Sequence, residues 1–160
     1  GGGCHPHDNI ALSYLSQKLN LSYDWFESIM LQREKQTEWL ADIIVKNSEN
    51  RQINILGKTF KPGTNLVAGS PSLLLKNLLI EKGKEVYMWD PYIDDNFDSV
   101  SKKYNWKNKD LLHTFFIGTK HHHFTKFKFP LNSIIIDPWR YLYNIKGSKI
   151  IRIGDNTQKN

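Results

Sequence analysis

The single cysteine of this 160-residue sequence lies in Gly1-Gly2-Gly3-Cys4-His5-Pro6-His7-Asp8, between a glycine run and the start of a helical pattern. Glycine lets backbone approach a ligand closely, and a helix N-terminus is a setting that favours thiolate over thiol. These residue types suit covalent chemistry at sulfur. A single cysteine is more often a small buried hydrophobe, here following a linker; the segment taken alone favours that reading, and context has to decide. His5 and His7 beside Cys4 and Asp8 raise the question of zinc. The spacing matches no common four-ligand pattern and no second ligand pair follows, so no metal is expected.

A second candidate is Gly57-Lys58-Thr59-Phe60-Lys61-Pro62-Gly63-Thr64-Asn65, a basic turn after an apolar run, where phosphate can be received. It lacks the G-x-x-x-x-G-K-[ST] spacing, and no G-x-G-x-x-G occurs in the chain, so neither an NTPase loop nor a standard dinucleotide fingerprint is present. Asp137-Pro138-Trp139-Arg140 follows another apolar run and brings an arginine able to fork onto a phosphate or a sugar. His121-His122-His123 reads as a solvated turn, because histidine ligands need convergent partners. Lys102, Lys103, Lys107 and Lys109 interleave with Tyr104 and Trp106, a mixture that can bind single-stranded nucleic acid. With no recognition module beside it, the patch reads as a solvated helix face, and no nucleic-acid partner is expected.

These residues need elements to hold them. Asp8 can cap a first helix whose apolar face is Ile10, Leu12, Leu15 and Leu19. From Asp24, the residues Trp25, Ile29, Met30, Trp39, Leu40, Ile43 and Ile44 mark a longer helix with a polar middle over 32–38, of the kind that packs against another body. The polar break at 47–50 separates this helical part, residues 1–50, from residues 51–160, where short apolar runs alternate with helical ones. Strands are predicted over 53–56, 86–89, 114–117, 133–136 and 150–153. Between the first two, Ser70 as N-cap and Pro71 at the first position open a helix that stops at Gly83. The expected fold is α/β, a Rossmann-like doubly wound parallel sheet preceded by a helical segment, with ligands beyond the carboxyl ends of the strands. The loops after Leu56, Trp89, Ile117 and Ile136 therefore matter most.

Bulk properties narrow the partners. A net charge of +6 favours anionic ligands, diphosphates and nucleic acid alike. No run reaches the roughly 18 apolar residues of a membrane span, no basic-then-apolar leader opens the sequence, and one cysteine cannot form an internal disulfide, so a cytoplasmic protein without a membrane partner is expected. The sequence begins at Gly1, inside a motif, and reads as a piece of a longer chain.

Taken in order, Gly2-Gly3-Cys4 with Pro6 and Asp8, Ile55-Leu56-Gly57 through Thr59-Phe60-Lys61-Pro62-Gly63-Thr64, Asp90-Pro91-Tyr92 and the late Asp137-Pro138-Trp139-Arg140 resemble the UDP-glucose/GDP-mannose dehydrogenase family. The resemblance implies two NAD-dependent oxidations that turn the C6 hydroxyl of a nucleotide sugar into a carboxylate. Cys4 matches the family nucleophile, which captures the intermediate aldehyde as a thiohemiacetal and carries it to a thioester. Asp8 matches a carboxylate beside that cysteine, and Gly3, Phe60, Lys61 and Arg140 match positions that contact the sugar nucleotide. The first helices match the family's central segment, whose long helix supports a homodimer, and residues from 51 onward match its UDP-sugar domain. NAD would be bound by an N-terminal domain upstream of Gly1, so the piece by itself is expected to be inactive. The substrate implied is a UDP-sugar, UDP-glucose first, with UDP-N-acetylmannosamine and GDP-mannose as alternatives. A nucleotide-sugar-binding module without chemistry is the reading from another class.

Overall fold

The computed structural model describes residues 2–94 and 111–154. In chain order these form α1 (Cys4–Lys18), α2 (Trp25–Ser48), β1 (Gln52–Leu56), α3 (Pro71–Glu81), β2 (Val86–Trp89), β3 (His113–Ile117), a 3-10 helix (His122–Lys126), β4 (Ile134–Asp137) and β5 (Lys149–Arg152). The five strands make one parallel sheet in the order β2-β1-β3-β4-β5. This is the expected α/β class, and the order reverses direction between β1 and β3, a topological switch point.

Alternation along the strands divides the core into two. Ile53 and Ile55 of β1, Phe116 of β3 and Ile136 of β4 join Ala41 and Ile44 of α2 and Leu75 and Leu79 of α3 on one face. Leu56, Phe115, Ile117 and Ile135 join Phe124 and Leu142 on the other. Both faces of the sheet are therefore dry, which is why its strands read as continuous apolar runs. Among the described residues the second face is covered by the 3-10 helix and irregular chain, where the strand-helix-strand pattern leads one to expect α-helices. Phenylalanines supply the missing depth: the rings of Phe115, Phe127 and Phe129 stack at 5.9, 5.1 and 4.8 Å, nearly edge to face.

Helix ends follow local chemistry. Asp24 caps α2 by accepting the Glu27 N–H at 3.0 Å, and Ser70 caps α3 by accepting the Ser72 N–H at 3.3 Å, with Pro71 in the first turn. α2 runs through Asn47 and Ser48, whose side chains donate to the Ile43 and Ile44 carbonyls, and ends at Glu49 with φ +41. The polar break seen in the sequence is thus its last turn.

The first helix departs from expectation. It begins at Cys4 with Gly3 at the capping position, so Asp8 is inside α1 and exposed rather than its cap. Pro6 is tolerated there because a first-turn N–H has no intrahelical acceptor to lose. The set Ile10, Leu12, Leu15 and Leu19 lies open to solvent, while the residues α1 buries are Asn9 and Ser16. α1 packs on α2 through small polar groups, and its apolar side is left uncovered. No helix among the described residues is long and apolar enough to cross a membrane. The Lys102–Lys109 patch with Tyr104 and Trp106 lies outside the described residues.

Leu79 is fully buried between α3 and the sheet. Leu79→Ala is expected to lower the unfolding free energy by about 2–5 kcal/mol in urea titration, through lost transfer energy and the cavity left behind.

Candidate functional site

At the switch point the loops after β1 and β3 must pass within contact distance. Gly57, φ +105, makes this possible: a Cβ there would lie 2.5 Å from the Thr119 amide nitrogen. Where the two loops part, a crevice of about 340 Å³ opens under α2. Thr59 and Phe60 wall it from the β1 loop, Gly118 from the β3 loop, Trp139 from the β4 loop, and Arg33 and Trp39 from α2. Its lining is mainly apolar with a few polar groups, which suits a ring held by shape and oriented by hydrogen bonds.

The cysteine loop is seated on the same wall. Gly69, φ +72, lies so close that a Cβ on it would fall 2.5 Å from the Gly2 carbonyl group. A Cβ on Gly2 would meet the Phe60 ring at 3.1 Å, and one on Gly3 would meet Ala68 at 3.7 Å. Residues at positions 2 and 69 with side chains could not dock this way. Cys4, exposed, follows at the first position of α1, and Asp8 comes four residues later, on the same side of the helix. The structure thus brings Gly2 onto Phe60 and Gly3 onto Ala68, with Cys4 next in the chain. Lys61 extends over the Phe60 ring with Nζ 5.4 Å from its centre.

Arg140 is placed differently. It shares the carboxyl rim of the sheet, but its Nε donates to the Ile153 carbonyl at 3.0 Å and its Nη2 to the Gly154 carbonyl at 2.6 Å. Its guanidinium is directed to the end of β5, away from the Phe60–Lys61 loop. Asp137, from the same motif, is buried and accepts the N–H groups of Trp139, Tyr141 and Leu142 at 3.0, 2.9 and 2.9 Å, so it shapes the chain behind β4. Burial, and then the Asp137 charge, raise the Tyr141 hydroxyl pKa.

The histidine triplet is the clearest correction. His122 and His123 are exposed, as a solvated turn requires, but His121 has no solvent access. Its Nε2 lies 3.1 Å from Asp90 Oδ2 and 3.0 Å from Thr59 Oγ1, and its Nδ1 accepts the Gly63 N–H at 3.4 Å. Asp90 Oδ2 also accepts the Lys58 and Thr59 amides at 2.7 and 3.1 Å, and Oδ1 accepts the Tyr92 amide at 2.9 Å. Burial alone would raise the Asp90 pKa; the bonds from His121, Tyr92 and Lys58 overcome it and pull it down to about 2. Sequence reasoning missed this network because His121 and Asp90 are 31 residues apart and only the fold joins them. The Asp90-Pro91 step at a strand end was the available signal.

For residues that could hold a metal, no group of three or more His, Cys, Asp and Glu occurs among the described residues. A dinucleotide does not fit either: the loop after β1 turns on Gly57 alone before Lys58, and no helix starts there to receive a pyrophosphate.

The depressed Asp90 carboxyl contributes stability at every pH above its unfolded value of 3.8 and loses it as pH falls toward about 2. The loss should amount to about 2 kcal/mol. His113, buried in β3 with its pKa lowered by desolvation, acts in the same direction at higher pH. Below about 6.5 the unfolded chain takes up a proton that the folded chain resists. Urea midpoints should therefore fall in two stages as pH drops, and Asp90→Asn should remove the lower one. An unchanged lower stage in that variant would refute the assignment.

Comparison with known proteins agrees with this architecture. The UDP binding domain of the UDP-glucose/GDP-mannose dehydrogenase family matches residues 54–143. The chain is 32% identical over 94 residues to GDP-mannose 6-dehydrogenase of Pseudomonas aeruginosa, covering 59% of this chain and 21% of that one. It is 31% identical over 94 residues to UDP-glucose 6-dehydrogenase TuaD of Bacillus subtilis, covering 57% and 20%. The match thus spans about a fifth of the length of these curated relatives. Among solved structures, a UDP-D-ManNAc dehydrogenase from Pyrococcus horikoshii superimposes with a TM-score of 0.68 at 22% identity, covering 96% of this chain and 38% of that one. With the crevice, the parallel sheet and the matched segment in agreement, this chain belongs to the UDP-glucose/GDP-mannose dehydrogenase family and contains its UDP binding domain.

Proposed function

We propose that this chain is the cysteine-bearing, sugar-nucleotide-binding part of a nucleotide-sugar 6-dehydrogenase acting on a UDP-sugar, UDP-glucose first. The observation that carries the reading is the seating of Gly2 and Gly3 on Gly69, Ala68 and Phe60, since Phe60 also walls the switch-point crevice and Cys4 is the next residue in the chain. In this reading residues 1–50 supply the cysteine loop and interface helices, and residues 51–160 form the UDP-sugar domain.

The Cys4 sulfur attacks the C6 carbon of the aldehyde, forming a C–S bond while the carbonyl oxygen takes a proton. At the thioester stage, water adds to the acyl carbon and the C–S bond breaks, returning the thiol and releasing a carboxylate. Sulfur suits both steps, as a strong nucleophile and a good leaving group. Asp8, one turn along α1, is assigned the family carboxylate's role of positioning that water or a catalytic lysine. Gly3 and Phe60 border the sugar, and Lys61 provides a cation for the diphosphate. Arg140 joins them when its bonds to the β5 end exchange for bonds to substrate. In the family NAD takes up the two hydrides; no residues among those described fit it, and no hydride step is assigned to this chain. The uncovered apolar side of α1, with Trp25 at the start of α2, is surface for the remainder of the enzyme or for a second copy in a homodimer. This soluble reading is consistent with a cytoplasmic enzyme of polysaccharide synthesis.

A second reading, GDP-mannose as substrate, is favoured by a GDP-mannose 6-dehydrogenase at 32% identity, beside 31% for the UDP-glucose enzyme. Calorimetric titration of this chain with UDP, UDP-glucose, GDP and GDP-mannose decides between them. Uridine nucleotides are expected to bind at least about tenfold more tightly, a difference of about 1.4 kcal/mol. The reverse order selects the second reading, and binding of neither rejects a nucleotide site in this chain.

Chemistry is tested separately from binding. In an enzyme completed by a dinucleotide-binding domain, Cys4→Ser should abolish uronate formation while leaving UDP affinity within about twofold. Full turnover by Cys4→Ser would refute the covalent role of Cys4 and with it the assignment.

A further inference from the structure

Phe60, Lys61 and Pro62 belong to a short irregular loop without helix or strand bonds of their own, yet in the proposed function Phe60 and Lys61 face the substrate. Something must hold that loop. The structure provides one side chain that touches it on both sides: the His121 ring meets Thr59 Oγ1 at 3.0 Å through Nε2 and the Gly63 amide at 3.4 Å through Nδ1. These contacts bracket the three residues. The same Nε2 reaches Asp90 Oδ2 at 3.1 Å, and Asp90 in turn holds the Lys58 and Thr59 amides.

We propose that His121 is a positioning residue of the sugar-nucleotide site, locked in the Nε2–H tautomer, whose two ring nitrogens fix the Phe60–Lys61–Pro62 loop against the crevice. The proposal rests on the reading of that crevice as the sugar-nucleotide site. The tautomer follows from donor and acceptor types. An amide N–H can only donate, so Nδ1 must present its lone pair to Gly63, and the ring proton is left on Nε2, where Asp90 and the Thr59 oxygen both face it. The Thr59 hydroxyl then donates onward to the Lys61 carbonyl at 3.1 Å, carrying the constraint into the middle of the loop.

The ring itself has little freedom. Tyr92 lies over it with centres 4.9 Å apart, and Phe124, fully buried, meets it edge-on at 5.6 Å. Its own carbonyl accepts the Tyr141 hydroxyl at 3.4 Å and the Phe124 amide at 3.2 Å. The β3 loop is tied to the β1 loop a second time, since the Thr119 hydroxyl donates to the Thr59 carbonyl. A side chain held this firmly can define where a neighbouring loop stops, which is what precise substrate contacts require. His122 and His123, exposed beside it, have no such contacts with the loop, so the assignment is to one histidine of three.

The test has one arm that needs no ligand. With 15N-labelled histidine, NMR of this chain should show His121 protonated at Nε2 with Nδ1 as acceptor, and a nuclear Overhauser contact between the Phe60 ring and Gly2. In His121→Phe, which keeps ring shape but neither nitrogen, that contact should be lost while core contacts of Phe115 and Leu79 persist. His121→Asn, which keeps an acceptor near the Nδ1 position, should retain part of it and serves if the Phe variant does not fold. A ring protonated at Nδ1, or an undisturbed Phe60–Gly2 contact in both variants, overturns the proposal. In the ligand arm, His121→Phe is expected to weaken UDP affinity about tenfold, with His121→Asn intermediate. Unchanged UDP affinity in His121→Phe also overturns it. If the unmodified chain fails to bind UDP, the functional reading falls, and the ligand-free arm still decides whether His121 positions the loop.

Discussion

A carboxylate without solvent must be met by donors or be destabilised by several kcal/mol, and Asp90 is met on both oxygens. The donors come from three places in the chain: the loop after β1, the turn after β2 and the loop after β3. Asp90 therefore joins the carboxyl ends of the three strands that flank the switch point. The crevice exists because these loops are tied at their bases and part above. Asp94 reinforces the arrangement, accepting the Asp90 amide at 2.7 Å and pairing with Lys58 at 2.6 Å.

The same device recurs at β4. Asp90-Pro91 directly follows β2 and Asp137-Pro138 closes β4, and in both the carboxylate accepts the N–H two residues on, at 2.9 Å and 3.0 Å. Proline has no N–H to satisfy, so the chain can turn sharply between the two without an orphaned donor. At β2 the turn gathers loops around a site. At β4 it directs Trp139 into the crevice, where the indole nitrogen bonds the Ile117 carbonyl at 2.9 Å.

The helical segment is built on a different balance. α2 shares the core of the sheet through Ala41 and Ile44, whereas α1 is joined to α2 partly by the Ser13 to Asp24 bond of 2.5 Å and leaves its larger apolar side chains outside. Such a helix gains its stability from whatever covers it. That the cysteine stands at the N-terminus of this element, with its preceding glycines packed on the sheet domain, couples the position of the sulfur to both bodies.

Local pattern was enough for much of this protein. Runs apolar on both faces marked all five strands to within a residue or two, Ser70-Pro71 and Asp24 marked two helix starts, and an ordered set of motifs marked the family, because each rests on residues close together in the chain. What pattern could not reach was the direction in which α1 turns its apolar side, since a 3.6-residue period is the same whether the partner is present or not. Nor could it separate His121 from His122 and His123, identical neighbours whose environments differ only after β1, β2 and β3 are brought side by side. Arg140 shows the same limit, its forked guanidinium legible in sequence and its acceptors not. Burial, and the pairing of groups tens of residues apart that burial demands, belong to the tertiary structure alone.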